Sequence, residues 1–310
     1  MISDLFSLTV LLGIISSGIR LATPYLFASI GETFSQRSGV LNLGVEGQMI
    51  LGAFTAFYVV TNTENLFLGV LAAIAVGALM GLAMGFVSVT LHAQQGISGI
   101  GFYLFGLGMS NLLFQKLVGT VKGVSGFPDL PIPLLSKIPI IGELFFEQNL
   151  LVYLAFLIVP VAHFIINKTN LGLKIRAVGE NPEAADSLGV SVTKIRYFTT
   201  ILGGAMSGLS GASLSIALLN VFQLGMTAGQ GFIAVALVYF GAWRPWGVLG
   251  GALLFSLING LQLWIQVLGI PIPSEFAVMM PYILTIVVLT LSRSKYAAPS
   301  ALTKPFEREP

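Results

Sequence analysis

Asn42 and Glu46 are the side chains best suited to bind a polar ligand in an otherwise apolar stretch of the chain. They lie four residues apart in the segment SGVLNLGVEGQ at 38–48. Residues four apart on a helix share a face, so a carboxamide and a carboxylate would point in the same direction. Such a pair can hydrogen-bond the hydroxyl groups of an uncharged sugar or ribosyl group. The alternative is that Glu46 caps exposed backbone amides at this break or pairs with Arg37.

A second glycine-rich break, GMTAGQG at 225–231, is flanked by amide and aromatic side chains. Four of them suit a planar base through hydrogen bonds and ring contacts: Phe222, Gln223, Gln230 and Phe232. Broken membrane segments in corresponding positions of two halves indicate a substrate pathway. The alternatives are that the glycines only allow close helix packing, and that these phenylalanines, among 22 in the chain, lie in the core or contact lipid.

Serine and histidine residues give little support for catalysis. Three GxSG patterns occur in a chain with 36 glycines, and a serine nucleophile needs a nearby base. The two histidines, His92 and His163, both precede Ser210 of the third pattern. Without cysteines or an HExxH motif, no closed metal site is expected. No glycine is directly followed by lysine, so the P-loop motif is absent and ATP with Mg²⁺ must bind to another protein. We therefore predict a chain that is not an enzyme and holds no cofactor.

The basic loop LGLKIRAVGENPEAADSLGVSVTKIR at 171–196 carries the capping signals of one short helix. Asn181 suits the N-cap, Pro182 the first helical position and Glu183 the positive helix end, while Gly189 can close the far end. The predicted helix has about two turns and is shaped to dock on a partner protein. Four flanking cations can pair with acidic groups of that partner or with anionic lipid: Lys174, Arg176, Lys194 and Arg196. The alternative is a loop whose cations only fix membrane topology.

Composition places the chain in a lipid bilayer. Of 310 residues, 55% are hydrophobic and 9% are charged, whereas soluble domains carry about 25% charged residues. A net charge of +2, with basic residues scattered outside one loop, predicts no nucleic-acid partner. The first residues, MISDLFSLTVLLG, have neither a basic region nor a small-residue cleavage site, so we expect them to be retained.

Apolar runs of roughly 20 residues, the length that crosses ~30 Å of hydrocarbon, predict an all-α polytopic membrane protein. The first run is too long for one span, and Arg20 within it predicts an interfacial segment followed by a span that starts near Leu21. Nine runs are expected to be spans: Leu5–Ser38, Leu43–Val60, Leu66–His92, Ile97–Val118, Asn149–Ile166, Tyr197–Leu219, Ala228–Ala242, Gly247–Leu268 and Ser274–Leu291.

The distribution of basic residues predicts the orientation. Eleven of the 15 basic residues fall on one side of the membrane if the loop at 167–196 is cytoplasmic. The positive-inside rule then places the C-terminus in the cytoplasm and the N-terminus outside. Spans one to four and six to nine have opposite topology, which predicts an inverted repeat with broken helices. One membrane domain, 1–310, would comprise a first half (5–118), a linking span (149–166), the loop (167–196), a second half (197–291) and a cytoplasmic tail (292–310).

Three sequence blocks in order carry a family resemblance. They are GETFSQRSGVLNLGVEGQMILGAF at 31–54, GLKIRAVGENPEAADSLGVSVTKIR at 172–196 and AGQGFIAVALVYFGAWRPWGVLGGALLF at 228–255. Together they resemble the permease family of ABC importers for nucleosides and simple sugars, including ribose. The chain is most similar to the shorter of the two permeases found in bacterial nucleoside systems, which lacks an extra N-terminal span.

The resemblance implies a subunit in the cytoplasmic membrane with three kinds of protein partner. These are a cytoplasmic ABC ATPase, a second related permease and an extracytoplasmic substrate-binding protein. It assigns the ATPase-coupling role to the predicted short helix: Asn181, Pro182, Glu183, Ala184, Ala185, Asp186 and Gly189. The competing hypothesis is a secondary transporter or channel that works alone and uses an ion gradient.

Overall fold

Helices account for most of the structure, a computed structural model that describes residues 7–269 and 298–307 together with seven isolated positions between 276 and 290. The first half contains α1 (Leu8–Arg37), α2 (Val45–Thr63), α3 (Leu66–Gly85, continued by a π-helical turn Phe86–Thr90) and α4 (Gln95–Leu117). A connecting region follows with β1 (Asp129–Pro131), α5 (Ile141–Phe145) and β2 (Glu147–Asn149). Next come α6 (Leu150–Lys168), α7 (Asn170–Glu180), α8 (Pro182–Ser187), α9 (Val192–Ser213, continued by a π-helical turn Leu214–Leu218), α10 (Gln230–Phe240) and α11 (Pro245–Val267).

The structure is mostly helical, as predicted, apart from the short pair β1–β2, and six helices in the described residues are long and apolar enough to cross a membrane. They are α1, α3, α4, α6, α9 and α11. The predicted second span corresponds to α2, which has 19 residues but does not reach the hydropathy of the other six. The predicted seventh span contains only the 11-residue α10. Most of the predicted ninth span, Ser274–Leu291, lies outside the described residues.

The N-terminal apolar run forms one continuous helix, contrary to the predicted interfacial segment and separate span. Helix α1 includes Pro24 and runs for 30 residues. This length corresponds to about 45 Å at 1.5 Å per residue. Arg20 does not interrupt it because its Nε donates to Gln148 Oε1 at 2.9 Å and its Nη2 to Asp129 Oδ2 at 3.1 Å. Both acceptors lie in the antiparallel pair β1–β2, more than 100 residues away, so no local signal revealed them.

Helix α9 lies at the centre of the bundle and packs against α1, α2 and α3. Glycines bring the backbones of α3 and α9 into direct contact. A β-carbon added at Gly77 would overlap the carbonyl oxygen of Gly204, and one added at Gly208 would overlap that of Ala73. Small residues that let helices approach closely are the usual means of association in membranes. The glycines of α3 and α9 therefore allow these two helices to pack closely.

Gly77→Ala is expected to lower the thermal stability of the detergent-solubilised chain. The new methyl group must displace the backbone of α9, and overpacking of this kind costs about 1–3 kcal/mol. Gly101→Ala is the matched control on α4, because an added β-carbon there meets no described atom within 4 Å. Equal unfolding temperatures for the two variants would contradict the close contact of α3 with α9.

Candidate functional site

The short helix of the basic loop has the predicted caps at both ends. Asn181 Oδ1 accepts a hydrogen bond from Ala184 N at 3.0 Å, and Pro182 occupies the first turn of the six-residue helix α8. Gly189 follows the helix with a φ of +81°, a conformation that glycine adopts without strain. Its N–H donates to Asp186 O at 2.8 Å, so the last turn is closed. Local capping interactions thus define a rigid element of nearly two turns.

One face of α8 is anchored and the opposite face is open. Ala185 is buried against Val178 of α7 and Val192 of α9. Glu183 is exposed, and Leu188 at the C-terminal end is 85% exposed. Leu188 thus lies at the open end of a helix that Ala185 anchors. Leu188 was missed in the sequence, although a lone leucine between Ser187 and a helix-closing glycine was a readable signal.

Arg196 differs from its predicted role as a surface cation. It is only 1% exposed, its Nε donates to Ser38 O at 3.2 Å, and its Nη1 donates to Lys304 O at 3.0 Å. The side chain therefore joins α9 to the turn after α1 and to the segment 298–307. Because the guanidinium is buried and donates to two backbone oxygens of the chain itself, it is not placed to reach an external partner or a lipid.

Arg196→Ala is expected to destabilise the chain by about 3 kcal/mol, since one buried and one partly buried carbonyl oxygen lose a charged donor and a large side chain leaves the interior. Lys194→Ala is the matched control, because Lys194 lies two residues earlier on the same helix and is exposed. Thermal unfolding in detergent measures both. A shift of similar size in the two variants would contradict the structural role of Arg196.

The two broken segments meet at Glu46. This residue lies in the first turn of α2, and its carboxylate accepts three hydrogen bonds from the start of α10. Oε1 accepts from Thr227 Oγ1 at 2.6 Å and from Gly229 N at 2.8 Å, while Oε2 accepts from Gly231 N at 2.6 Å. The side chain is 3% exposed. Glu46 therefore caps the backbone amides of a helix that begins about 180 residues later in the chain.

The negative charge of Glu46 lies at the N-termini of two helices, α2 and α10. Each N-terminus carries a partial positive charge that favours an anion. A carboxylate offers about four lone-pair positions, and three are used by the hydrogen bonds from α10. Of the two expectations for Glu46, the geometry favours the capping of backbone amides, although the amides belong to the second break and not to its own.

Asn42 does not share a helical face with Glu46, so that expectation is wrong. Helix α2 begins only after Gly44, and Asn42 precedes it in a non-helical turn. Its Nδ2 donates to Gln48 Oε1 at 3.1 Å, its Oδ1 accepts from Gly44 N at 2.9 Å, and its own N–H donates to Glu32 Oε1 at 3.0 Å. Asn42 therefore closes the turn between α1 and α2. Its four-residue spacing from Glu46 spans the break and not a helix.

A buried polar network extends from this turn along α1. Glu32 Oε1 also accepts from Gln36 Nε2 at 2.9 Å, and Gln36 Oε1 accepts from Trp243 Nε1 at 2.8 Å. In the described part of the chain, three buried side-chain atoms near the two breaks lack a hydrogen-bond partner: Glu32 Oε2, Gln48 Nε2 and Gln230 Oε1. Unsatisfied buried polar atoms cost about 1–3 kcal/mol each, so a hydrogen bond to any of these three would stabilise the site. Gln36 and Gln48 were missed, although amides on both sides of a break are a usable signal.

The predicted side chains of the second break do not line one common binding site in the structure. Phe222 is fully buried in the core, where its ring contacts those of Phe54, Phe57 and Phe114. Gln223 is exposed, whereas Gln230 is half-buried in the first turn of α10. Phe232 packs edge-on against Tyr103 with ring centroids 5.2 Å apart. Core packing accounts for Phe222, as the alternative expected.

The remaining three flanking cations have two kinds of environment. Lys174 and Lys194 are exposed. Arg176, in contrast, is half-buried and lines a cavity of about 910 Å³ together with Arg37 and Arg244. Its Nε is buried and has no hydrogen-bond partner among the described residues.

The chain is similar to ABC transporter permeases along almost its whole length. A nucleoside ABC transporter permease protein of Lactococcus lactis, NupC, is 36% identical and covers 93% of this chain and 94% of its own length. The guanosine ABC transporter permease protein NupQ of Bacillus subtilis is also 36% identical, over 94% of this chain and 96% of its own. TsgC13 of Haloferax volcanii, provisionally named a glucose ABC transporter permease, is 38% identical over 96% of this chain and 98% of its own. No solved structure matches significantly.

The family model described as the branched-chain amino acid transport system / permease component matches residues 14–289. This match includes both broken segments and the capped helix α8. Since the model spans most of the chain and the relatives align along nearly their whole length, the family resemblance found in the sequence is confirmed, and the chain belongs to the family of branched-chain amino acid transport system permease components.

Proposed function

We propose that the chain is the membrane-spanning permease subunit of an ATP-driven ABC importer for nucleosides or simple sugars. The observation that carries the proposal is its similarity, along almost the full chain, to permeases named for nucleosides, guanosine and glucose. Its partners are a cytoplasmic ATPase that holds ATP and Mg²⁺, a second related permease and an extracytoplasmic substrate-binding protein. The cytoplasmic membrane is its location, with the N-terminus outside and the C-terminus inside.

Helix α8 is the element that couples this subunit to the ATPase. Its caps make it rigid, Ala185 fixes it to α7 and α9, and Leu188 is open to a partner. When the ATPase closes and opens, a helix seated in a groove on its surface transmits a rigid-body movement to the spans. The segment 298–307 reinforces this connection, since Ala301 N donates to Gly179 O at 2.9 Å and Thr303 N to Gly39 O at 3.1 Å.

The substrate pathway runs beside the junction of the two broken segments. Nine spans arranged as an inverted repeat would place these segments in corresponding positions, near the membrane midplane. The contact of Glu46 with the start of α10 supports this arrangement. In it, Glu46 positions the two helix starts, and the unsatisfied amide and carboxyl atoms of Glu32, Gln48 and Gln230 are the groups available to substrate hydroxyls.

Co-purification from the native membrane, followed by reconstitution, tests the proposal. The chain should elute with an ATP-hydrolysing subunit and a second permease, and the complex should take up radiolabelled nucleoside or ribose only with ATP and a binding protein. A chain that elutes alone and moves substrate in response to an ion gradient would instead support the stand-alone secondary transporter.

A further inference from the structure

Three arginines converge on a cavity outside the junction at Glu46. The cavity of about 910 Å³ lies among the C-terminal ends of α1 and α6, helix α7 and the turn between α10 and α11. Arg37, Arg176 and Arg244 line it, and Glu180 is the carboxylate residue in the lining. Its volume exceeds what one phosphate group needs, so a larger molecule that carries a phosphate can also enter.

The charges in the lining favour an anion. The guanidinium of Arg37 is attracted by Glu180 and repelled by those of Arg176 and Arg244. Glu180 is itself engaged at the cavity edge, where its Oε2 accepts from Ser300 Oγ at 3.2 Å. A cleft lined mainly by one sign of charge between low-dielectric walls concentrates the field and attracts the opposite charge. The lining holds three guanidinium groups and one carboxylate, so its charge favours a bound anion.

Two of the arginines can offer hydrogen-bond donors to that anion. Arg37 Nε donates to Trp243 O at 3.0 Å, which fixes the base of the guanidinium. No described acceptor is paired with its two terminal nitrogens or with the buried Nε of Arg176. Guanidinium groups bind phosphate through two parallel, charge-assisted hydrogen bonds, which are about twice as strong as neutral ones. Arg37 and Arg176 both line the cavity, so their guanidinium groups can donate to a phosphate oxygen in this way.

Aromatic residues form the other wall of the cavity. Trp246, in the first turn of α11, is 52% exposed and lies near His163, with ring centroids 6.2 Å apart. Exposed indole rings beside basic pockets between membrane helices are typical of sites at the headgroup level. We propose that this cavity binds a phosphate group through Arg37 and Arg176, carried either by an anionic phospholipid or by a small soluble molecule. The proposal does not depend on the transport partners.

Tryptophan fluorescence of the full chain in detergent tests the proposal. Two of the three tryptophans, Trp243 and Trp246, line the cavity, so a ligand there should change the emission. One arm titrates short-chain phosphatidylglycerol against phosphatidylcholine of the same chain length, and the other titrates inorganic phosphate against chloride at equal ionic strength. Trp246→Phe should remove most of the change and thereby locate it.

Arg176→Gln is expected to weaken the binding about tenfold, the loss of roughly one charge-assisted hydrogen bond. Lys174→Gln, exposed on the same helix two residues earlier, is the matched control and should bind like the wild type. Arg176→Lys retains the cation in case the glutamine variant fails to fold, and should bind about threefold more weakly because the planar fork is lost.

Saturable binding of phosphatidylglycerol alone assigns the cavity to a lipid headgroup, whereas saturable binding of inorganic phosphate assigns it to a soluble molecule. Either result, with the loss in Arg176→Gln, supports the shared phosphate chemistry. No saturable change with either probe, or equal affinities in wild type, Arg176→Gln and Arg176→Lys, would overturn the proposal.

Discussion

Leu188→Asp is expected to abolish ATP-dependent transport while the chain still folds. The leucine is 85% exposed, so a charge there should hardly change the free energy of unfolding. Against a partner surface, the same charge would be buried without a counter-ion. Removing an apolar anchor from an interface costs about 2 kcal/mol or more, which is roughly a 30-fold loss of affinity. Co-purification of the ATPase and substrate uptake measure the effect.

Leu134→Asp is the matched control for this prediction. Leu134 is also a leucine, is 83% exposed and lies between β1 and α5, away from the basic loop. It should retain the ATPase at the wild-type level. If Leu188→Asp also retains the ATPase and full uptake, the coupling role of α8 is contradicted. If both variants lose the ATPase, the loss reflects surface charge in general and not docking at α8.

Ala185→Asp separates docking from anchoring. Ala185 is 3% exposed, so an aspartate would be buried against Val178 and Val192 without a partner. This variant should lose transport and also unfold at a lower temperature, whereas Leu188→Asp should lose transport alone. The comparison shows whether coupling needs a fixed helix as well as an exposed one.

The accuracy of the sequence predictions follows the distance along the chain over which each interaction acts. Helix α8 could be predicted because its caps depend on Asn181, Pro182 and Gly189, which all lie within nine residues. The positions of most long helices followed from apolar runs, since a bilayer-spanning helix needs about 20 such residues. Those features are encoded locally.

Interactions between distant residues could not be predicted in the same way. Arg20 has partners more than 100 residues away, and so does Arg196 at the backbone of Lys304. In the sequence both are isolated charges, so Arg20 predicted a break in a span and Arg196 predicted a surface cation. The prediction that Asn42 shares a helical face with Glu46 was wrong for a different reason. Their spacing was interpreted as helical, but Asn42 lies in a turn before the helix begins.

Glu46→Gln is expected to reduce both stability and uptake, because one side chain caps α10 through both carboxylate oxygens. An amide has one acceptor oxygen, so it cannot accept from Gly229 and Gly231 on both sides, and its NH₂ would face one of these N–H donors. The loss of one charged acceptor in a buried site should cost about 2–3 kcal/mol. Thermal unfolding in detergent and reconstituted uptake measure the two effects.

Two further variants separate capping from substrate binding at Glu46. Thr227→Val removes one of the three hydrogen bonds and leaves the charge, so it should cost about 1 kcal/mol. Glu64→Gln, at the exposed C-terminal end of the same helix, is the matched control and should change neither property. If capping is the role, the unfolding temperature falls in the order wild type, Thr227→Val, Glu46→Gln, and uptake falls with it. A Glu46→Gln chain that unfolds like the wild type but no longer transports would show that the carboxylate acts on the substrate, because the loss would then appear only when a substrate is present.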